Sequence, residues 1–489
     1  MTAARASFAA LIVVLLVSAA AWVRASSRSD RFPYGLGYGE GQILDETIQL
    51  ASLRNIYPPS WSAPPYRVAD YPPLFMTLQA PALKIFGPAY WYGRLLCQLA
   101  VVGIAIGIGV VVWNLTGSRA GALTAALLVP ATPAFALWSQ YARVDLPALA
   151  CVWAALALVT RREAPRIRTA ALLFAAAAFG RQSLALAGPV TAVAVLVCDG
   201  RRRDALRLVA WFAGCGIAGA AALECLSHGG FLRNTVSAVA ASGIWLPQLE
   251  DAAVELATTV PVLIACAVIA ASLRATGGRA RTAVLASAIG GAATALLIVK
   301  VGADVNYVLE LMAGCCMAAG VLVSGARARP AIVAVVSLAL AAQVVFDLAS
   351  NPYARVESRL AHAADARRLF EIVRAADGPL LADTALDLFP LAGKPIVFQP
   401  FDMAQLAGAG LWNDRPLADA ISRHAFAAIL IFTPPNGETG LIESRWTPAL
   451  LQAIASSYAT AERVAIEDEG DVVVYRPVGP RDSKPTGRE

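Results

Sequence analysis

Charge is scarce in this chain of 489 residues. Asp, Glu, Lys and Arg make up 15% of it, where a soluble domain carries about a quarter. Apolar residues reach 58%, and the mean hydropathy is +0.60. That balance excludes an ordinary soluble domain. Histidine is rarer still, with only His228, His362 and His424. HExxH, paired-cysteine and calcium-loop patterns are all missing, so no metal motif is firm. A P-loop is missing too, which removes nucleotide hydrolysis. The net charge of +6 is modest and forms no basic stripe with interleaved aromatics, so nucleic acid is not a partner. The eight cysteines lie in apolar segments without a CxxC. They read as small core residues, not as a disulfide framework.

What is present is a series of apolar runs. Segments 7–24, 91–113, 119–138, 146–160, 168–180, 184–198, 206–227, 251–273, 282–299, 307–324 and 330–349 read as membrane spans, about eleven in all. The first, with Arg5 before it, also fits a signal peptide; we read it as an uncleaved helix. The pair over 168–198, interrupted at Gly180-Arg181-Gln182, is short enough to be kinked or re-entrant. Residues 73–88, with Pro81 and Lys84, read as an interfacial helix. Glycines at 103–109, 214–219 and 290–291 sit within spans and suit close helix packing.

Arginines follow alternate spans: Arg119, then Arg161 to Arg168, Arg201 to Arg203, Arg274 to Arg281, and Arg327 with Arg329. The positive-inside rule puts these turns and the N-terminus in the cytoplasm. The loops 25–90, 139–145, 181–183, 228–250 and 300–306, and everything after about 350, then lie outside.

After residue 350 the character changes. Charge rises and long apolar runs stop. A helix is expected at 355–376, strands at 379–382, 395–399, 427–433 and 471–476, and helices near 415–423 and 447–458. The expected fold is a polytopic α-helical membrane protein, residues 1–350, with a small α/β extracytoplasmic domain over 351–478 and a disordered tail at 479–489.

Chemistry concentrates outside. The first loop, a polar Pro-rich stretch at 25–72, carries Glu40, Asp45, Glu46 and Asp70, the last ahead of Tyr71-Pro72-Pro73. Arg94 opens the second span, Arg143 and Asp145 lie at one outer helix end, and Arg181 at another. Lys300, Asn306, Tyr307 and Glu310 mark a further outer turn. Ionisable groups at membrane depth are costly and usually functional. Carboxylates that can take a hydroxyl proton, beside cations that can hold a phosphate, suit sugar transfer from a lipid carrier. The bland alternatives are helix-terminal charge for Asp45 and Glu46, snorkelling for Arg94 and Lys300, and a structural ion pair for Asp145 with Arg143 or Arg181.

Glu40-Gly41, followed by Arg54-Asn55-Ile56-Tyr57, Tyr71-Pro72-Pro73-Leu74 and Gly93-Arg94-Leu95, resembles the start of the glycosyltransferase C superfamily, family 39 and the aminoarabinose-transferase-like branch in particular. Ala142-Arg143-Val144-Asp145 resembles its second acidic motif, and residues 300–307 with Glu310 a later outer-loop motif. The resemblance implies a membrane enzyme at the bacterial inner membrane that moves a sugar from a polyprenyl-phosphate carrier to a lipid, glycan or protein acceptor. It implies Glu40 or Asp45 as base with Asp145 assisting. Asp70, Tyr71, Arg94, Arg143, Arg181, Lys300, Asn306 and Tyr307 then bind substrate. The usual first-loop pair is Asp-Glu; here Glu40 stands at the matching position, and a literal Asp45-Glu46 follows five residues on. A divalent metal is possible in such a site, with His228 the one weak candidate ligand. Rival readings are a lipid or sugar transporter, whose mark would be inverted repeats, and a non-catalytic assembly protein.

Overall fold

A computed structural model describes residues 2–273, 277–327, 329–434, 440–467 and 470–478. The expected tail at 479–489 and Arg274 lie outside the described residues. The first ten helices are α1 (Thr2–Arg31), α2 (Glu40–Ala51), α3 (Leu74–Phe86), α4 (Trp91–Thr116), α5 (Arg119–Ala131), α6 (Pro133–Trp138), α7 (Asp145–Val159), α8 (Ile167–Gly180), α9 (Ala187–Cys198) and α10 (Arg202–Leu226). Helices Pro247–Thr259, Pro261–Ser272, Gly278–Ala295, Leu309–Val323 and Pro330–Ala349 complete the apolar set.

Among the described residues, five helices are long and apolar enough to cross a membrane: α1, α4, α10, Gly278–Val299 and Pro330–Ala361. The segment expected as one span at 251–273 is instead two helices bent by 88°. Pro261 sits at the break, where it removes a backbone donor and clashes with the preceding turn. The expected span 119–138 likewise breaks between α5 and α6 at Thr132-Pro133. Helices α7, α8, α9 and Leu309–Val323 fall where spans were expected but are shorter apolar helices. Four of the in-span glycines, Gly107, Gly219, Gly290 and Gly291, face neighbours closely. A Cβ on Gly107 would lie 2.8 Å from the Trp153 side chain, and one on Gly290 2.6 Å from Ala187.

Past residue 350, the expected helix at 355–376 is two, Ala354–Ala361 and Ala363–Ala375, broken at His362. Strands β1 (Leu380–Ala382), β2 (Ala428–Thr433), β3 (Tyr458–Glu467) and β4 (Gly470–Pro477) form one sheet in the order β1-β2-β4-β3. β1 runs parallel to β2, and the other pairings are antiparallel. β3, mostly alternating rather than apolar, was not expected. The 395–399 segment is not in the sheet: it contributes one isolated bridge, Phe398 to Tyr66 of the first loop. That bridge joins the chain's two ends. Tyr66 donates its N–H to Val397 O at 2.8 Å, and Gln399 N–H returns to Tyr66 O at 2.9 Å. Val68 N–H donates to Gln399 Oε1 at 2.6 Å, and Gly35 N–H to Asp387 Oδ2 at 2.8 Å. The first loop is therefore clamped between the helices and the sheet-bearing part.

Candidate active site

A cavity of about 550 Å³ opens beside the first loop. Six segments far apart in sequence build it: the first loop, residues 138–143, the turn after α8, residues 238–244, residues 297–307 and helix Pro400–Gly408. Its size suits a small ligand or the polar end of a larger one.

Three cations face it. Arg143 is fixed by Nη1 donating to Tyr38 O at 2.9 Å and Nη2 to Tyr71 Oη at 3.1 Å, with the Tyr71 ring 5.7 Å away. Arg181 follows the end of α8, stacks on the Tyr307 ring at 4.5 Å and donates from Nε to Ser183 Oγ at 2.9 Å. Its guanidinium pairs with buried Asp145. Lys300 comes from the turn after Leu296–Val299 and lines the same space.

Three carboxylates line the same cavity: Asp70, Asp402 and Asp304, the last paired with Arg355 at 3.5 Å. Asp70 is half-buried at the cavity wall, where Gln42 Nε2 donates to it at 3.3 Å and Gln182 Nε2 holds its backbone carbonyl at 2.9 Å. Burial pushes its carboxyl up, while Lys300, Arg143 and Arg181 pull it back. Asp402 stands in the first turn of Pro400–Gly408 and lines the same cavity. Burial and then the neighbouring Asp70 raise it. Glu46 lies just behind, raised well above the carboxylate range by burial and by Asp70. Gln42 Nε2 donates to its Oε1 at 3.2 Å.

The family model for dolichyl-phosphate-mannose-protein mannosyltransferase matches residues 70–225. No curated protein matches the chain by sequence. The structure is similar to ArnT from Cupriavidus metallidurans bound to undecaprenyl phosphate, with a TM-score of 0.58 and 16% identity over 94% of this chain and 97% of that one. It is similar to the Archaeoglobus fulgidus oligosaccharyltransferase in the apo form, with a TM-score of 0.59 and 11% identity over 94% of this chain and 74% of that one. The archaeal oligosaccharyltransferase AglB from Archaeoglobus fulgidus, in complex with an inhibitory peptide and a dolichol-phosphate, gives a TM-score of 0.51 at 10% identity, over 94% and 74%.

The chain has the glycosyltransferase C fold. Within it the expected site residues separate into two groups. Asp70, Tyr71, Arg143, Arg181, Lys300, Asn306 and Tyr307 line one cavity. Glu40, Asp45, Arg94, Asp145 and His228 do not line it.

Glu40 is fully buried, with all its acceptor capacity turned inward. Its oxygens take N–H bonds from Leu36 at 2.6 Å, Gly37 at 3.2 Å and Ala142 at 2.7 Å, and two from Arg94 at 3.1 Å. Arg94, equally buried, also donates to the carbonyls of Ser29, Phe32 and Tyr34. This pair knits the C-terminal end of α1 to the start of α2. It contacts no cavity space, so the geometry does not support Glu40 as a base or Arg94 as a phosphate ligand.

Asp45 pairs with Arg67 at 3.0 Å and with Gln49, and it does not line the cavity. Asp145 accepts from Trp138 Nε1 at 2.7 Å and Asn306 Nδ2 at 3.2 Å besides Arg181, and so positions a cavity cation from behind. His228 is exposed in the turn after α10. Among the described residues no three His, Cys, Asp or Glu side chains gather as metal ligands.

Tyr38, Gln42, Gln182, Phe401 and Asp402 were missed. Gln182 adjoined a recognised break, and Pro400 is a helix-start signal that could have flagged the 400–408 helix. Nothing local in the sequence marks Asp402.

Proposed function

We propose that this protein is a membrane glycosyltransferase that moves a sugar from a polyprenyl-phosphate carrier to an acceptor hydroxyl on the outer face of the bacterial inner membrane. The observation that carries it is the meeting of Arg143, Arg181 and Lys300 with Asp70 in one cavity. Three cations are a phosphate cradle, and a carboxylate among them is a base. Undecaprenyl phosphate and dolichol-phosphate in the similar structures support a lipid-phosphate donor. Apolar Ile244, Leu297 and Val299 on the cavity wall suit the first units of a prenyl chain.

In this mechanism Asp70 takes the proton of the acceptor hydroxyl as its oxygen attacks the anomeric carbon. The bond from that carbon to the phosphate oxygen breaks, and the configuration inverts. The negative charge that grows on the leaving phosphate is met by Arg143, Arg181 and Lys300, already oriented before the reaction. Asp145, Asn306 and Tyr307 hold Arg181 in place. Among the described residues no three metal-ligating side chains gather at this cavity, and every step is carried by the chain's own residues.

The topology follows the arginine placement: about eleven membrane passes over 1–350, counting the shorter apolar helices, N-terminus cytoplasmic, and the α/β part over 351–478 outside, covering the site. Purified protein incubated with undecaprenyl-phosphate sugars, with products read by mass spectrometry, tests the reading. Asp70→Asn should lose transfer by at least about 100-fold while remaining folded. Glu40→Gln should instead lower thermal stability, because it breaks a buried pair at a cost of about 3–5 kcal/mol. Full transfer by Asp70→Asn would remove the mechanism. Lipid flipping without any transfer would move the protein to the transporter class.

A further inference from the structure

The cavity is chemically lopsided. One wall, from the first loop, the membrane helices and their turns, carries Arg143, Arg181 and Lys300, with Asp70 among them and Asp304 paired to Arg355 at 3.5 Å. The other, from helix Pro400–Gly408, carries Phe401 and Asp402. This second wall is held firmly. Phe401 presses on the 300–304 turn so closely that a Cβ on Gly302 would lie 2.3 Å from its ring. Gly243 N–H donates to Gln405 Oε1 at 3.4 Å.

Arg143, Arg181 and Lys300 all stand on the first wall, so the phosphate belongs there. The Asp402 end is left for a neutral group rich in hydroxyls. An acidic side chain next to an aromatic ring is suited to a sugar, which offers donors at its edge and C–H groups at its face.

We propose that Asp402, supplied by the C-terminal part of the chain, is the residue that selects the donor sugar by accepting hydrogen bonds from its hydroxyls, with Phe401 against the ring. This rests on the glycosyltransferase reading and goes beyond it, because it assigns sugar choice to the outer part instead of the membrane helices. A site built to bond a particular hydroxyl discriminates strongly against sugars that lack it.

The test is binding by tryptophan fluorescence in nanodiscs, using undecaprenyl phosphate alone and undecaprenyl phosphate carrying mannose, glucose, galactose or arabinose. Wild type should bind at least one sugar-bearing lipid more tightly than the bare carrier. Asp402→Asn should weaken that lipid by about 10- to 100-fold and leave the bare carrier within about twofold. Asp402→Glu, which keeps the carboxyl group but moves its oxygens, should reorder the preference among the four sugars. Equal weakening of both ligands, no weakening of either, or lost turnover with unchanged sugar-lipid affinity would each overturn the proposal. Wild type that binds neither lipid would fail the glycosyltransferase reading itself. Wild type that binds both equally would sink only the sugar-selecting role.

Discussion

Lys300 sets the chemistry of Asp70. Burial raises the Asp70 carboxyl, and Lys300 is the largest influence opposing it, ahead of Arg143 and Arg181. Glu46 and Asp402, also close by, are themselves raised by burial and then by the Asp70 charge. As a base Asp70 works ionised, so transfer should rise with pH through an acid limb set by this carboxyl. Lys300→Gln removes a cation that favours the ionised form. The Asp70 carboxyl then moves higher, and the acid limb of the kcat/KM profile moves to higher pH. A profile that keeps its limb in place while the KM for the lipid rises would restrict Lys300 to phosphate binding.

At the scale of elements, the start of α2 is the hinge of the site. Gly39 caps it with φ of 94°, a left-handed backbone that glycine tolerates and other residues resist. A Cβ there would also lie 1.9 Å from Arg143 Nη1. The glycine makes room for the guanidinium to reach Tyr38 O, one residue before it. Gly39→Ala should therefore strain the turn by about 1–3 kcal/mol and displace Arg143 from the cavity. The expected readout is weaker binding of undecaprenyl phosphate, by about tenfold or more, with the protein still inserted and helical by circular dichroism. Unchanged affinity would show that Arg143 does not hold the phosphate.

For the whole molecule, the join between the first loop and the sheet-bearing part matters most. Gln399 sits directly before Pro400–Gly408 and accepts the buried N–H of Val68 at 2.6 Å, two residues before Asp70. One side chain thus ties together the two walls of the cavity. Gln399→Ala leaves that N–H without its partner, at a cost of about 1–3 kcal/mol. It should lower the thermal midpoint in detergent and raise the KM for the lipid donor together. A drop in stability with unaltered kinetics would limit the join to a structural role.

The helical, membrane-spanning character follows from composition and from the length of apolar runs, which local chemistry decides without reference to distant residues. So do β1, β2 and β4 as short apolar strands, and the clustering of charge at outer turns. The broken helices at Pro133 and Pro261 were written in the prolines, yet hydropathy averaged over a window hid them. β3 escaped because an alternating strand at a sheet edge lacks an apolar run. The choice among carboxylates lay beyond the sequence. Glu40, Asp45, Glu46 and Asp70 are alike as letters in one loop. What separates them is that Arg94 and three backbone N–H groups enclose the first, Arg67 pairs with the second, burial hides the third, and only the fourth lines a cavity with cations. Asp402 reaches that cavity from more than three hundred residues further along the chain. Burial and proximity are properties of the packed chain, so tertiary structure alone could decide which acid has work to do.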